Sequence, residues 1–190
     1  GYFSKLIIDY LDQKAELKSL YNRFPTLENF KLQIEEKSKN FPIENREILA
    51  NALLNQYQKF EISEATSTNI ELLKKSNTYT ITTGHQLNLF TGPLYFLYKI
   101  ISVINLTKEL KNTHPENNFV PIYWMATEDH DFDEINYFNF KGKKIQWKKE
   151  SNGPVGRLNN SGLEEVFEQF SNELGLGNNA NYLRELFKKS

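Results

Sequence analysis

The period of the hydrophobic positions changes at residue 78. Before it, apolar residues recur at helical spacing. Leu6, Ile7, Tyr10 and Leu11 form a narrow stripe, and Leu27, Phe30 and Ile34 follow the break at Arg23-Phe24-Pro25-Thr26 with Thr26 as N-cap. After the break at Asn40-Phe41-Pro42, Ile43 to Phe60 carries Ile48, Leu49, Ala52, Leu53 and Tyr57. Ser63 to Asn69 reads as a polar loop, and a short helix then holds Ile70, Leu72 and Leu73. Residues 1–76 are therefore expected to form a helical N-terminal region packed on something larger.

From Thr78 to Thr82 a β-branched run predicts a strand, and Gly84, His85 and Gln86 predict the turn that ends it. Pro93 suits the first turn of a helix, with Thr91 or Gly92 as cap. Leu94, Leu97, Tyr98, Ile101 and Ile104 recur at helical spacing, widened by Ile100, Val103 and Leu106. A helix this apolar is expected to be buried on most sides and to fade at Lys108 to Lys111. Phe119 to Thr127 is apolar without alternation, as in a strand covered on both faces. Strand, helix and strand make a right-handed parallel crossover. Tyr137 to Trp147 reads as a hairpin turning at Lys141-Gly142-Lys143, and Gly153 to Leu158 as a loop. Ser161 to Glu164 has capping-box spacing before a helix with Val166, Phe167 and Phe170, and a last helix spans Tyr182 to Lys189. The fold class is α/β: a Rossmann-like parallel sheet, incomplete in this chain, over residues 77–190 with an inserted hairpin. Two core strands and one crossover helix do not finish such a sheet. The chain is therefore expected to be the front part of a larger domain, and Gly1, standing where an initiator Met would, suggests a processed start, so that the numbering need not begin at the natural terminus.

Composition changes this picture little. Of 190 residues 39% are apolar and 14% aromatic, enough for a core. A net charge of −1 gives no electrostatic case for nucleic acid or an anionic membrane, and the lysines around Trp147 read as a solvated hairpin. No apolar run reaches the ~18 residues of a membrane span. Without cysteine there are no disulfides, thiolate zinc sites or cysteine nucleophile. A cytoplasmic location is the expectation.

Candidate chemistry falls at the two strand ends, expected to lie close together as one pocket. At the first, Gly84 allows close approach of a ligand, and His85, Gln86 and Asn88 supply neutral donors and acceptors. The turn and the helix start favour an anion, although the spacing is neither G-x-G-x-x-G nor a P-loop. At the second, Glu128, Asp129, Asp131, Asp133 and Glu134 surround His130. Glu134 and Phe140 occupy the glycine and closing-glutamate positions of a calcium loop, which rejects an EF-hand. An oxygen-ligated Mg²⁺ site is the remaining metal option, and no metal ligand is assigned. A histidine among aspartates also suits a general base oriented by a carboxylate, which makes His130, Asp129 and Asp131 the catalytic candidates. A loop arginine, Arg157, could face an anion.

These residues carry a family resemblance. Thr83 to Tyr95 (Thr-Gly-His-Gln-Leu-Asn-Leu-Phe-Thr-Gly-Pro-Leu-Tyr), followed by Lys99-Ile-Ile-Ser, resembles the first signature of the BshC family. Pro121 to Ile135, with Glu-Asp-His-Asp at its centre, resembles the second. The lead-in with Tyr21 and Phe24-Pro25-Thr26-Leu27 is also similar. His85 stands where the family commonly has glutamine, which argues against an obligatory catalytic role. The resemblance implies amide formation between the amino group of a glucosamine–malate conjugate and the carboxyl of cysteine, in bacillithiol biosynthesis. It also implies a Rossmann-like core and a homodimer through a coiled coil, of which only the front of the core would lie in this chain; alone, the chain is not expected to be active. Gly84, His85, Gln86, Asn88 and Asp133 would bind substrate. The cofactor is unknown; activating a carboxylate suggests ATP, for which no standard motif is present. Two other readings stand beside this one: a metal-assisted hydrolase or phosphoesterase using the 128–134 cluster, and a non-catalytic binding domain.

Overall fold

A computed structural model describes residues 2–189; the side chain of Thr91, one of the two expected caps, lies outside the described residues. The chain divides into two compact units, Gly1–Tyr79 with Glu109–Val120, and Thr80–Lys108 with Pro121–Ser190. Strand β1 (Thr78–His85), helix α5 (Leu94–Thr113) and strand β2 (Asn118–Met125) each contribute to both.

The first unit opens with four helices, α1 (Lys5–Leu11), α2 (Leu27–Asn40), α3 (Ile43–Tyr57) and α4 (Glu64–Leu73). Thr26 caps α2 as expected, its hydroxyl accepting from the Asn29 N–H. The expected loop Ser63–Asn69 is instead mostly helix. Ser63 is the N-cap of α4, and burial of Ile70 and Leu73 against α3 outweighs the weak helix propensity of the Ser/Thr run. Arg46 of α3 is buried and has no carboxylate partner. Its guanidinium donates to the carbonyls of Leu73 (3.3 Å), Ser76 (3.2 Å) and Thr78 (2.9 Å), with the Phe41 ring 5.1 Å away. One side chain thus satisfies both the end of α4 and the first residue of β1.

β1 and β2 form a two-stranded sheet. Asn118 N–H donates to Asn77 C=O (2.9 Å), and Ala126 N–H to His85 C=O (3.0 Å). The register is the same at both ends, so the strands are parallel and the turn after β1 lies beside the turn after β2. Both strands differ from the sequence expectation in extent: β1 continues to His85, and β2 stops at Met125 with Trp124 and Met125 exposed. α5 departs further. It runs on to Thr113, and Leu94, Tyr98 and Ile101 are 62%, 60% and 50% exposed rather than buried. A sheet of two strands is too narrow to cover so wide an apolar face.

The second unit has its core elsewhere. A short helix α6 (Phe132–Ile135) leads into the hairpin of β3 (Tyr137–Phe140) and β4 (Lys143–Gln146), antiparallel with Phe138 opposite Ile145. The connection is the two-residue turn Lys141–Gly142, both at positive φ (49° and 77°). Phe132, Phe138, Ile145, Trp147, Val166 and Phe170 pack together beneath α7 (Leu163–Leu174), which is followed by α8 (Asn178–Lys189), a longer final helix than expected. The capping box at Ser161 does not form. Ser161 gives its carbonyl to the Trp147 indole N–H (2.9 Å) and its hydroxyl to Asn159 Oδ1 (2.6 Å), leaving Gly162 as N-cap.

Candidate functional site

Between Gly84 and Asn88 the carbonyls of Gly84, His85 and Gln86 and the His85 ring all meet side-chain partners. Gly84 serves the sheet itself: a Cβ there would stand 3.0 Å from the Trp124 carbonyl and 3.1 Å from its Cβ. The Gly84 carbonyl accepts from the Lys99 ammonium (2.6 Å) and the His85 carbonyl from the Tyr123 hydroxyl (3.2 Å). Burial pushes the Tyr123 phenol above its ordinary range. The Asn88 amide nitrogen lies 3.0 Å from His85 Nδ1 and 3.1 Å from the Gln86 carbonyl, and Nδ1 itself is 3.2 Å from that carbonyl. On the other side of the ring, Nε2 and the Tyr95 hydroxyl lie 2.7 Å apart and share a hydrogen bond. Asn88 Oδ1 is buried without a hydrogen-bond partner among the described residues.

Phe90 anchors this turn from below. It sits in a 3₁₀ turn (Leu89–Thr91) at φ 46°, ψ 61°, a left-handed conformation that costs a bulky residue about 1–2 kcal/mol. Its ring lies 4.7 Å from Phe170, 5.1 Å from Phe187 and 5.6 Å from Phe138, centroid to centroid. Such contacts, worth about 0.5–1.5 kcal/mol each beyond area burial, hold the backbone where it would not settle alone.

The acidic segment behaves differently. Its carboxylates disperse: Glu128 accepts from the Trp124 indole (3.2 Å), Asp129 from the backbone N–H of Asp131 (2.9 Å) and Asp133 from Asn136 (3.3 Å). The His130 ring is exposed and meets no carboxylate among the described residues, so the expected orienting contact from Asp129 or Asp131 is not made. Among the described residues no group of three or more His, Asp or Glu could hold a metal ion. Only Glu134 reaches across to the first turn, accepting from the Gln86 amide (2.8 Å).

That contact joins the two strand ends and borders a cavity of about 650 Å³. Its lining comes from Gly92 to Tyr95 and Leu97 on one side, and from Glu134 and Tyr137 to Asn139 on the other. The cavity lies next to this contact, but its walls are the start of α5, Glu134 and β3 rather than the two strand-end turns from which the pocket was expected. Gln86 reaches its edge through Glu134 and His85 through Tyr95, whereas Gly84, Asn88, Asp129, His130, Asp131 and Asp133 are not among its walls.

Several contributors escape sequence reasoning. Tyr95 and Lys99 look like ordinary members of an apolar helix, and Glu134 like one acid among five. Gly156 has no turn signature of its own. It lies where a Cβ would meet Thr127 Cβ at 2.5 Å, and two backbone bonds, Val155 N–H to Asp129 C=O (2.7 Å) and Gly156 N–H to Thr127 C=O (2.9 Å), dock its loop on the β2 turn. Arg157, the anion candidate, is exposed beside that junction.

Relatives make the assignment specific. The chain is 70% identical over 188 residues to a protein of Flavobacterium johnsoniae named "Putative cysteine ligase BshC", and 66% identical over 191 residues to one of the same name in Flavobacterium psychrophilum. These alignments cover 99% and 100% of this chain and 36% of each relative. A Bacillus cereus protein of that name is 39% identical over 143 residues, covering 74% of the chain and 26% of its own length. The chain therefore spans little more than a third of the Flavobacterium proteins it matches. The model of the family described as "Bacillithiol biosynthesis BshC, N-terminal Rossmann-like domain" matches residues 2–190. Matched along its described length, with both signatures set side by side at the ends of parallel strands, the chain belongs to the BshC family as its N-terminal Rossmann-like domain.

Proposed function

We propose that this chain is the amino-terminal portion of a carbon–nitrogen ligase that joins the carboxyl of cysteine to the amino group of a glucosamine–malate conjugate. The supporting observation is 70% identity to a relative named as a cysteine ligase. In this reading the pocket at the strand ends receives substrate. Gln86 and His85 act at one remove, by fixing Glu134 and Tyr95, while Gly84 and Asn88 shape the turn that holds them. Asp133 and the 129–131 segment precede the wall residue Glu134 in the chain, and His130, whose exposed ring meets no carboxylate among the described residues, is the available base once substrate or the rest of the protein reaches it. Carboxylate activation needs a co-substrate such as ATP, and this chain has no standard motif for it. The coiled-coil homodimer and the cytoplasmic location belong to the whole protein; within the described residues no helix is long and apolar enough to cross a membrane.

The test is a full-length protein carrying this chain, incubated with cysteine, the glucosamine–malate conjugate and ATP, with the thiol product followed by mass spectrometry. Formation of the cysteinyl amide is expected. Consumption of neither substrate by a folded, full-length protein would overturn the reading. In the same assay His130→Ala is expected to lower kcat by about 10²-fold or more if His130 is the base.

A further inference from the structure

We propose that the cavity between the start of α5 and β3 is a subsite for a primary ammonium group, with Glu134 receiving the cation and Tyr95 sharing a hydrogen bond with an oxygen of the same ligand. Glu134 is the single carboxylate in the wall, and no Lys, Arg or His accompanies it there. One of its oxygens accepts from the Gln86 amide (2.8 Å), a neutral donor that fixes the carboxylate's direction without cancelling its charge. Glu134 itself is exposed, so this directed carboxylate stands at the open rim of a cavity lined by Pro93, Leu97 and Phe138, where an entering cation would meet it. Tyr95 supplies the complementary pole. Its hydroxyl, fixed by the hydrogen bond it shares with His85 Nε2, keeps a second hydrogen-bonding position open to a ligand oxygen. The volume, about 650 Å³, lies in the range of small-molecule sites and takes an amino acid or an amino sugar with room to spare.

The choice of ligand rests on the ligase reading, in which both organic substrates carry a primary amine. Glucosamine and cysteine are therefore the probes, and N-acetylglucosamine and N-acetylcysteine their uncharged-nitrogen controls. Each is titrated into the isotopically labelled chain at slightly acidic pH, following amide chemical shifts. At least one amine is expected to shift residues 92–97 and 134–139, and which one does so identifies the source of the ammonium. Its N-acetyl counterpart is expected to bind at least tenfold more weakly. Glu134→Gln, which keeps the shape and the Gln86 contact, is expected to lose about tenfold for the amine and nothing for the control. Tyr95→Phe is expected to weaken amine and control together by a few-fold. Binding of neither amine, equal binding of amine and N-acetyl control, or an affinity unchanged by Glu134→Gln would each overturn the proposal. These results do not depend on catalysis: a full-length protein that makes no amide would remove the ligase reading while leaving ammonium binding to stand or fall by itself.

Discussion

At the end of β1 polar side chains turn towards one another; at the end of β2 they turn away. Lys99, Tyr123, Asn88 and Tyr95 all close on the backbone or the imidazole between Gly84 and Gln86. The carboxylates of Glu128, Asp129 and Asp133 bond, among the described residues, only to groups within four residues, and His130 and Asp131 face solvent. Mutual repulsion explains the second pattern, because carboxylates without a cation gain nothing by converging. The first turn is a mix of donors and acceptors and can satisfy itself. A dense run of ionisable residues therefore marks a place where charge has to be spread, and a mixed polar run marks a place where geometry can be fixed.

The largest expected break in this comparison comes from below the first turn. Phe90→Ala empties space among Phe138, Phe170 and Phe187, and should cost about 3–5 kcal/mol. Phe90→Gly should recover about 1 kcal/mol of that by relieving the left-handed backbone. Urea unfolding combined with hydrogen exchange at Phe138 and Ile145 checks both, and a Phe90→Ala loss below about 1 kcal/mol would mean the ring is not the anchor. The second turn has a smaller anchor at Gly156. Gly156→Ala drives a methyl into Thr127 and should cost about 1–3 kcal/mol, largely restored in the double variant with Thr127→Gly.

Neither anchor is legible in the sequence, for different reasons. Phe90 reads as one apolar residue in an apolar stretch, and its positive φ results from packing against residues about 50 to 100 positions away. Gly156 is special only because Thr127 lies over it. What was legible is what local physics decides: the strand–helix–strand order, the hairpin at Lys141–Gly142 and the Thr26 cap. Adjacent strand ends follow from parallel pairing and were also foreseen. The pocket's walls were not, because whether His85 meets a ligand or meets Tyr95 depends on a helix turn ten residues on. Sequence density could not single out Glu134 from its neighbours, because spacing along a loop does not say which side chain crosses to the other turn.

A finer contrast lies in single side chains. Tyr95→Phe removes the hydroxyl that shares a hydrogen bond with His85 Nε2 and should cost about 1 kcal/mol. It should also move the imidazole ¹⁵N signals. Asp131→Asn, at an exposed carboxylate with no side-chain partner among the described residues, should stay within about 0.5 kcal/mol. Equal effects at the two sites would erase the distinction between a self-bonded turn and a dispersed one.

Tyr123 gives the effect whose sign is most diagnostic. Its phenol is pushed up by burial and donates to the His85 carbonyl, so the folded chain holds the phenolic proton more tightly than the unfolded chain does. Below the ordinary tyrosine value of about 10 both states are protonated and the contribution is complete. As pH rises past that value the unfolded state releases its proton first, and stability falls until the folded-state value is passed. An alkaline loss of stability is therefore expected to begin near pH 10 and to be shallower in Tyr123→Phe, which cannot ionise. At neutral pH the same variant should lose about 0.5–1 kcal/mol for the missing bond to His85. A variant whose alkaline slope matched the parent's would show that the Tyr123 hydroxyl is hydrated rather than enclosed, and that the β1 end is held by Lys99 and Asn88 without it.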